Sequence, residues 1–269
     1  AIERPSPHRV DPAPCPVFGT CGGCTWQNLE AGEQARWKEK QVADTLRHLG
    51  GVKEFDLRPI ERSPTGWHYR NKMEYTFGLD DEGRPMLGFH RRGRYDQLLS
   101  VEACLIQPEP FDVVLRILVD YARRHALTVY NPKSHEGYLR QAVLRHSHTT
   151  GETILILLTQ AGELPDREAL ARQLADEVLG FKGMIWGLNT GLSDVARIEE
   201  ECWRWGSPEL IETVNGLTFT ISPQSFFQTN TAAAERLYAL AADMAQLGPE
   251  DRVLDAYCGT GAIALHCAR

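Results

Sequence analysis

The sequence has no long apolar run. The longest, Ile154–Leu158, is far shorter than the roughly 20 apolar residues that a helix needs to cross a bilayer. The first fifteen residues also lack the apolar core of a secretion signal. We therefore predict a cytoplasmic protein without a membrane partner.

Regularly spaced cysteines and an excess of positive charge are absent as well. The seven cysteines form an odd, unevenly spaced set, which favours a reducing compartment over a disulfide framework. A net charge of −7 counts against a nucleic-acid partner without settling the question, because phosphate binding needs only local positive charge. The 269 residues, 42% of them hydrophobic, suffice for one large folded domain or two ordinary ones.

Cysteine is concentrated near the start of the chain. Cys15, Cys21 and Cys24 lie in CPVFGTCGGC, where glycines allow several sulfurs to converge, and Cys104 lies in a polar context farther along. Thiolates are preferred ligands of iron–sulfur clusters and of zinc. Small core residues are the alternative, but three thiols in one Gly/Pro loop are poor core material. A zinc ribbon would offer a second close pair of ligands, so the spacing favours an iron–sulfur cluster.

Hydrophobic periodicity predicts an α+β central domain. We expect helices at 28–49, 111–125 and 167–179, and strands at 69–79, 86–89, 138–145, 153–158 and 183–188. The first helix carries Val42, Leu46 and Leu49 on one face and is expected to support the cysteine loop. A composition shift at 205–208 suggests a domain boundary.

The predicted strands 69–79 and 86–89 are joined by the turn sequence DDEGRP and are expected to form a long hairpin. Basic and aromatic residues are interleaved on and beside this hairpin. The basic ones are Arg70, Lys72, Arg84, His90, Arg91, Arg92 and Arg94, and the aromatic ones are Tyr69, Tyr75, Phe77, Phe89 and Tyr95. Such interleaving is typical of RNA-binding surfaces, where bases stack on rings and cations contact phosphates. Acidic residues in the same segment support an alternative, a solvated strand face. The pattern alone does not decide between the two.

A glycine-rich motif stands near the end of the sequence. The apolar segment 252–257 precedes Cys258-Gly259-Thr260-Gly261 and an Ala-rich stretch over 262–268. This order predicts a strand, a glycine turn and a helix, as where a doubly wound α/β fold brings a nucleotide-like cofactor against the backbone. A parallel strand needs neighbours on both sides. We therefore expect the sequence to be truncated after this helix, and the absence of an initial Met suggests truncation in front as well.

Six colinear stretches carry a family resemblance. They are CPVFGTCGGC, YRNKMEYTFG, LGFHRRGRYDQL, VEACLIQPE, GLTFTISPQSFFQTNTAAAERLY and RVLDAYCGTGAIAL. Together they resemble the S-adenosylmethionine-dependent RNA uracil-5-methyltransferases, in particular the iron–sulfur branch that modifies ribosomal RNA. The resemblance implies an iron–sulfur loop and helix over 1–50, a central α+β RNA-binding domain over 51–207, and the beginning of a Rossmann-like methyltransferase domain over 208–269.

The resemblance also implies the site residues. Cys15, Cys21, Cys24 and Cys104 would ligate a 4Fe–4S cluster, and the contacts to S-adenosylmethionine would come from Gln228, Tyr257, Gly259 and Gly261. The family position matching Ala262 often makes a polar cofactor contact, which an alanine side chain cannot make. Arg70, Lys72 and Arg91 are expected to contact RNA phosphates.

The implied reaction is covalent catalysis. A cysteine thiolate adds to uracil C6, and C5 of the resulting enolate takes the methyl group from the sulfonium donor. A base then removes the C5 proton and the cysteine thiolate is eliminated from C6, which restores the C5–C6 double bond. In the family this cysteine and base lie well past the glycine loop, so neither is assigned here, and Cys258 is expected to pack within the cofactor loop.

The expected partner is ribosomal RNA, bound by a monomer. Three alternatives stand beside this interpretation. They are methylation of transfer RNA, a non-catalytic iron–sulfur module that binds RNA, and a radical S-adenosylmethionine enzyme. The last is disfavoured because its close cysteines are typically spaced C-x3-C-x2-C, and the first gap here is five residues.

Overall fold

A computed structural model describes residues 4–268, and a seven-stranded sheet organises it. The strand order is β3-β2-β1-β4-β5-β6-β7, and only the β5–β6 pair is parallel. The strands are β1 (Lys72–Leu79), β2 (Pro85–Arg91), β3 (Arg94–Ser100), β4 (Leu139–His146), β5 (Thr153–Thr159), β6 (Phe181–Leu188) and β7 (Glu200–Gly206). The fold is thus mixed α/β, as the predicted α+β central domain requires.

Helices cover one face of this sheet. The helix α1 (Ala31–His48) follows the cysteine loop, and α2 (Pro110–Arg124) and α3 (Arg167–Glu177) pack on the sheet. The main core includes Phe111 of α2, Leu170 of α3, and Leu155 and Leu157 of β5. Every residue of β5 is buried, because a second apolar cluster covers the opposite face of the central strands.

A smaller unit follows the seven-stranded sheet. It comprises β8 (Leu210–Val214), β9 (Leu217–Ile221), α4 (Thr231–Ala245) and α5 (Ala262–Cys267). Its core cluster includes Phe227, Tyr238 and Ala262, and Ile154 of β5 belongs to it as well. The large sheet ends near the predicted boundary, but Ile154 joins the two units into one packed structure. The division at residue 207 therefore stays a prediction.

The predicted helices and strands of the central region are all present, with ends that differ by a few residues. The strands β3, β7, β8 and β9 and the helix α4 were not predicted. In β7 the sequence EECWRWG is largely exposed, and Arg204 pairs with Glu201. An edge strand of this kind lacks the apolar alternation on which the prediction depends.

One prediction is wrong. Residues 252–257 do not form a strand, because no strand pairs with them among residues 4–268. The first helix is present as α1, and on its predicted apolar face Leu46 is half-buried, whereas Val42 and Leu49 are exposed. Among the same residues, no helix is both long and apolar enough to cross a membrane.

Candidate functional site

The cysteine loop is folded by short-range backbone hydrogen bonds. The Phe18 amide donates to the Cys15 carbonyl (3.0 Å), and the Cys21 amide donates to the Val17 carbonyl (2.9 Å). The Gly23 amide donates to the Cys21 sulfur (3.4 Å). These tight turns direct three cysteines toward one region without a regular element.

The same loop is fixed to the β2–β3 turn of the large sheet. The Gly22 amide donates to the His90 carbonyl (3.1 Å), and the Arg92 amide donates to the Thr20 carbonyl (2.8 Å). A Cβ atom at Gly22 would lie only 3.1 Å from the His90 carbonyl oxygen, so glycine permits the close approach. The Arg92 guanidinium also donates to the Cys24 carbonyl. The basic turn and the cysteine loop therefore form one unit.

Cys104 is positioned by a buried glutamine. The Gln107 amide donates to the Cys104 carbonyl (3.1 Å). The Gln107 side chain accepts from the Tyr75 hydroxyl (2.6 Å) and donates to Asp112 (2.5 Å), which lies in the first turn of α2. The loop that carries Cys104 is thus anchored to β1 and to α2.

The four predicted cluster ligands line one cavity of about 380 Å³. Cys15, Cys21 and Cys24 come from the loop and Cys104 from the segment before α2. Burial raises the pKa of the Cys104 thiol, and the charges of Cys24 and Cys15 raise it further. We call this space the cysteine cavity. Nevertheless, among residues 4–268 no three His, Cys, Asp or Glu side chains converge closely enough to hold a single metal ion.

The three basic residues predicted to contact RNA lie in different environments. Arg70 lines the cysteine cavity, and its Nε is buried without a hydrogen-bond partner among residues 4–268. Lys72 lines the same cavity and pairs with Glu74 (2.7 Å). Arg91 is exposed at the end of β2, and its backbone forms an isolated antiparallel β-bridge with Cys21. Exposure alone therefore makes Arg91 the most accessible of the three to a phosphate.

Ion pairs elsewhere on the hairpin agree with the alternative interpretation, in which the charged residues form a solvated strand face. Arg84 pairs with Asp80 (3.0 Å) and also with Glu82, and Arg94 pairs with Asp96 (3.0 Å). The β2–β3 turn differs, since Arg91 and Arg92 have no ion pair within the described chain. The unpaired cations lie beside the cysteine loop.

The glycine-rich loop forms a tight turn before α5. The Gly261 amide donates to the Cys258 carbonyl (2.7 Å). Gly259 and Gly261 have φ of +54° and +76°, which side chains disfavour. Tyr257 is 97% exposed, and the Cys258 side chain is also exposed. The predicted turn and helix are present, whereas the strand before them is not.

Gln228 lies in the segment that leads into α4. Its carbonyl accepts from the Asn71 side chain (2.8 Å), and Tyr238 of α4 lies within hydrogen-bonding reach of its side chain. Tyr238 packs with Ala262, the first residue of α5, in one apolar cluster. This cluster therefore lies beside both Gln228 and the glycine loop. Ala262 serves as a packing residue there.

Comparisons with known proteins point to one kind of enzyme. No protein-family model matches the chain. An uncharacterised RNA methyltransferase of Caldanaerobacter subterraneus is 40% identical over 98% of the chain, and one of Chlorobaculum tepidum is 37% identical over all of it. The chain is related to RNA methyltransferases. It spans 58% and 59% of the lengths of these two relatives.

A solved structure agrees with this relationship to RNA methyltransferases. The crystal structure of the Pyrococcus abyssi tRNA (uracil-54, C5)-methyltransferase in complex with S-adenosyl-L-homocysteine matches with a TM-score of 0.75 and 26% identity. The match covers 100% of this chain and 58% of that one. The mixed α/β fold with its large sheet is therefore that of a methyltransferase structure over the matched region.

Two buried polar residues, Arg145 and Asn71, are not among the site residues predicted from the sequence. Arg145 of β4 donates to the carbonyls of Ser222 (2.7 Å) and Pro223 (2.9 Å). Burial lowers the pKa of Arg145 to about 10, so the guanidinium stays charged at neutral pH. Asn71 donates to the other end of the same segment, at Gln228. A polar residue within an apolar strand pattern is a signal that such a side chain has a buried role. The pattern does not indicate which distant residue forms the hydrogen bond.

Proposed function

We propose that the protein is an RNA methyltransferase that forms 5-methyluridine with S-adenosylmethionine as the methyl donor. The observation that carries the proposal is the likeness of the whole chain to a tRNA uracil-C5 methyltransferase bound to S-adenosylhomocysteine. The relatives are RNA methyltransferases by description, which agrees with this reaction class. The chain spans under two thirds of the lengths of these proteins, so their activity is part of what is proposed here.

The methyl donor would be held by Gln228, Tyr257, Gly259 and Gly261. The two glycines have positive φ and present a backbone turn without side chains, which allows a ligand to approach closely. The Tyr257 ring is free to contact a ligand because it is almost fully exposed. The apolar cluster that contains Tyr238 and Ala262 packs beside both Gln228 and the glycine loop.

The cysteine cavity would hold a 4Fe–4S cluster through Cys15, Cys21, Cys24 and Cys104. A tetrahedral zinc ion with Zn–S bonds of about 2.3 Å needs sulfurs only about 3.8 Å apart, and the described side chains do not converge in that way. The ligands of a four-iron cluster bind different irons and stand farther apart. Arg70 and Lys72 add positive charge to a cavity lined by thiols. Four thiols on one cavity supply the number and type of ligands that this larger group needs. Its role would be structural because methyl transfer is not a redox reaction.

The chemistry requires a thiolate that attacks uracil C6 and a base that removes the C5 proton. We assign neither group to this chain. Cys258 is exposed, but its sulfur lies in the glycine loop beside the Gly259 carbonyl (3.9 Å), where it belongs to the proposed donor site. The target uridine must leave its stack to react, and the basic β2–β3 turn would contact the RNA around it.

Methyl transfer to RNA tests this proposal. The protein is incubated with S-adenosylmethionine labelled in the methyl group and with RNA, and the nucleosides are separated after digestion. We expect labelled 5-methyluridine, and Gly261→Ala should weaken donor binding because the loop needs a positive φ there. RNA binding without methyl transfer would instead favour the non-catalytic iron–sulfur module.

The RNA substrate has two candidates. Ribosomal RNA follows from the resemblance of the cysteine motif to the iron–sulfur branch that modifies it. Transfer RNA is favoured by the described substrate of the structural neighbour. Parallel assays with transcripts of ribosomal RNA and of transfer RNA, followed by mapping of the modified uridine, decide between them. We propose ribosomal RNA, and label confined to transfer RNA would overturn that choice.

A further inference from the structure

A buried asparagine joins the cysteine cavity to the segment that carries Gln228. Asn71 precedes β1, directly between Arg70 and Lys72 of the cavity wall, and is only 4% exposed. Its backbone amide donates to the Thr229 carbonyl (2.9 Å). Thr229 also lines the cysteine cavity. One residue of this segment therefore belongs to the cavity wall, and the preceding one belongs to the proposed donor site.

The Asn71 side chain strengthens the same connection. Its amide nitrogen donates to the Gln228 carbonyl (2.8 Å) and to the Thr231 hydroxyl oxygen (3.0 Å). A carbonyl oxygen can only accept, so the amino group of Asn71 must face Gln228. An aspartate in this place would set a carboxylate oxygen against the carbonyl oxygen. The contact with the Gln228 carbonyl therefore requires a side chain that donates a hydrogen bond at this position.

A buried carboxylate extends these hydrogen bonds to the smaller unit. The Thr231 hydroxyl donates to Glu212 of β8 (3.5 Å). Glu212 is buried and also accepts from the amides of His148 (3.0 Å) and Thr149 (3.0 Å). Buried hydrogen bonds made in series restrain the groups that they join. The β4–β5 turn, β8 and the start of α4 are thereby held in register with β1.

We infer that Asn71 is a positioning residue for the methyl donor: it holds the backbone of residues 228–231 against the large sheet, so that Gln228 is presented to the donor. The inference rests on the proposed function, because Gln228 is a donor contact only within it. Asn71 acts through Gln228.

Calorimetric binding of S-adenosylhomocysteine to the protein tests the inference. We expect Asn71→Asp and Asn71→Ala to weaken binding about tenfold, the effect of losing a buried hydrogen bond that orients a contact. Asn189→Ala is the matched control. Asn189 is 2% exposed, and its side chain also donates two hydrogen bonds, to Gln141 (3.1 Å) and to the Val195 carbonyl (2.9 Å). It should lower the melting temperature similarly and leave the affinity unchanged.

A double-mutant cycle separates positioning from general destabilisation. If Asn71 acts through Gln228, then the double variant Asn71→Ala/Gln228→Ala binds no more weakly than Gln228→Ala alone. Fully additive losses, or wild-type affinity of the folded Asn71 variants, would overturn the inference. Where Asn71→Asp does not fold, Asn71→Ser, which keeps a donor in a smaller side chain, is measured instead. Failure of the wild-type protein to bind S-adenosylhomocysteine would instead overturn the proposed function itself.

Discussion

The strand β5 of the large sheet and the segment before the glycine loop are both predicted to be strands, but they have different structures. In β5, Leu157 is fully buried, whereas Leu254 in the segment before the glycine loop is 88% exposed. The strand β5 pairs with β4 on one side and β6 on the other. Residues 252–257 pair with no strand in the described part of the chain. An apolar pattern therefore indicates that a segment suits burial, but neighbouring backbone decides whether it becomes a strand.

The glycine turn behaves differently from the apolar segment that precedes it. Its hydrogen bond runs from Gly261 to Cys258, only three residues apart, and its positive φ angles need no distant partner. Local sequence is thus sufficient for the turn and insufficient for the strand. The comparison separates structure that depends on near neighbours in the chain from structure that depends on the sheet.

Paired leucine substitutions test this comparison most strongly. Leu157→Ala should lower the free energy of unfolding by about 2–5 kcal/mol, because it leaves a cavity in the main core. Leu254→Ala should change it by less than about 0.5 kcal/mol, because its side chain is exposed. Urea denaturation followed by circular dichroism measures both. A comparable loss for Leu254→Ala would show that this segment is packed.

Metal analysis of cysteine variants tests the cysteine cavity. Protein purified without oxygen should contain about four irons and four sulfides per chain, and Cys104→Ser should remove most of them because Cys104 lines the cavity. Cys202→Ser is the control, since Cys202 is exposed on β7, away from the cavity. Equal iron in both variants, or zinc in the wild-type protein, would contradict the proposed cluster.

The cysteine site shows how far the sequence alone could lead. The spacing of Cys15, Cys21 and Cys24 within a glycine-rich loop was enough to propose a ligand set. Only the family resemblance selects Cys104 as the fourth ligand, because its position depends on Gln107, Tyr75 and Asp112, which belong to separate elements. Long-range hydrogen bonds of this kind leave no periodic signal in the sequence.

The same limit applies to the segment around Gln228. Its hydrogen bond to Asn71 joins residues that are 157 positions apart. Arg145, 78 positions from Pro223, could not be paired with that carbonyl by any local rule. Central strands such as β5 were predictable because burial on both faces leaves a continuous apolar run. Edge strands and distant polar contacts were not.

Acid titration tests how His146, the last residue of β4, contributes to the pH dependence of stability. Burial, with the neighbouring His148, lowers the pKa of His146 from 6.5 to about 4. Between these values the unfolded chain binds a proton that the folded one does not, so stability falls as the pH decreases from about 7 to 4. After allowance for partial exposure, we expect the loss from His146 to be about 2 kcal/mol.

Urea denaturation at several pH values measures this loss. His146→Gln should flatten the pH dependence, because the side chain that titrates in the unfolded state is gone. His48→Gln is the control, since His48 is exposed near the end of α1. An unchanged slope for His146→Gln would mean that other groups cause the acid sensitivity.

The smallest effect concerns two exposed arginines at opposite ends of β2. Arg91 lies beside the cysteine loop without an ion pair among residues 4–268, whereas Arg84 is held by Asp80 and Glu82. Arg91→Ala should weaken RNA binding a few-fold and reduce the slope of log K against log salt by about one, as expected for one lost phosphate contact. Arg84→Ala should leave both unchanged. If the two variants behave alike, RNA does not contact the β2–β3 turn. The charged residues of the hairpin then only form a solvated strand face.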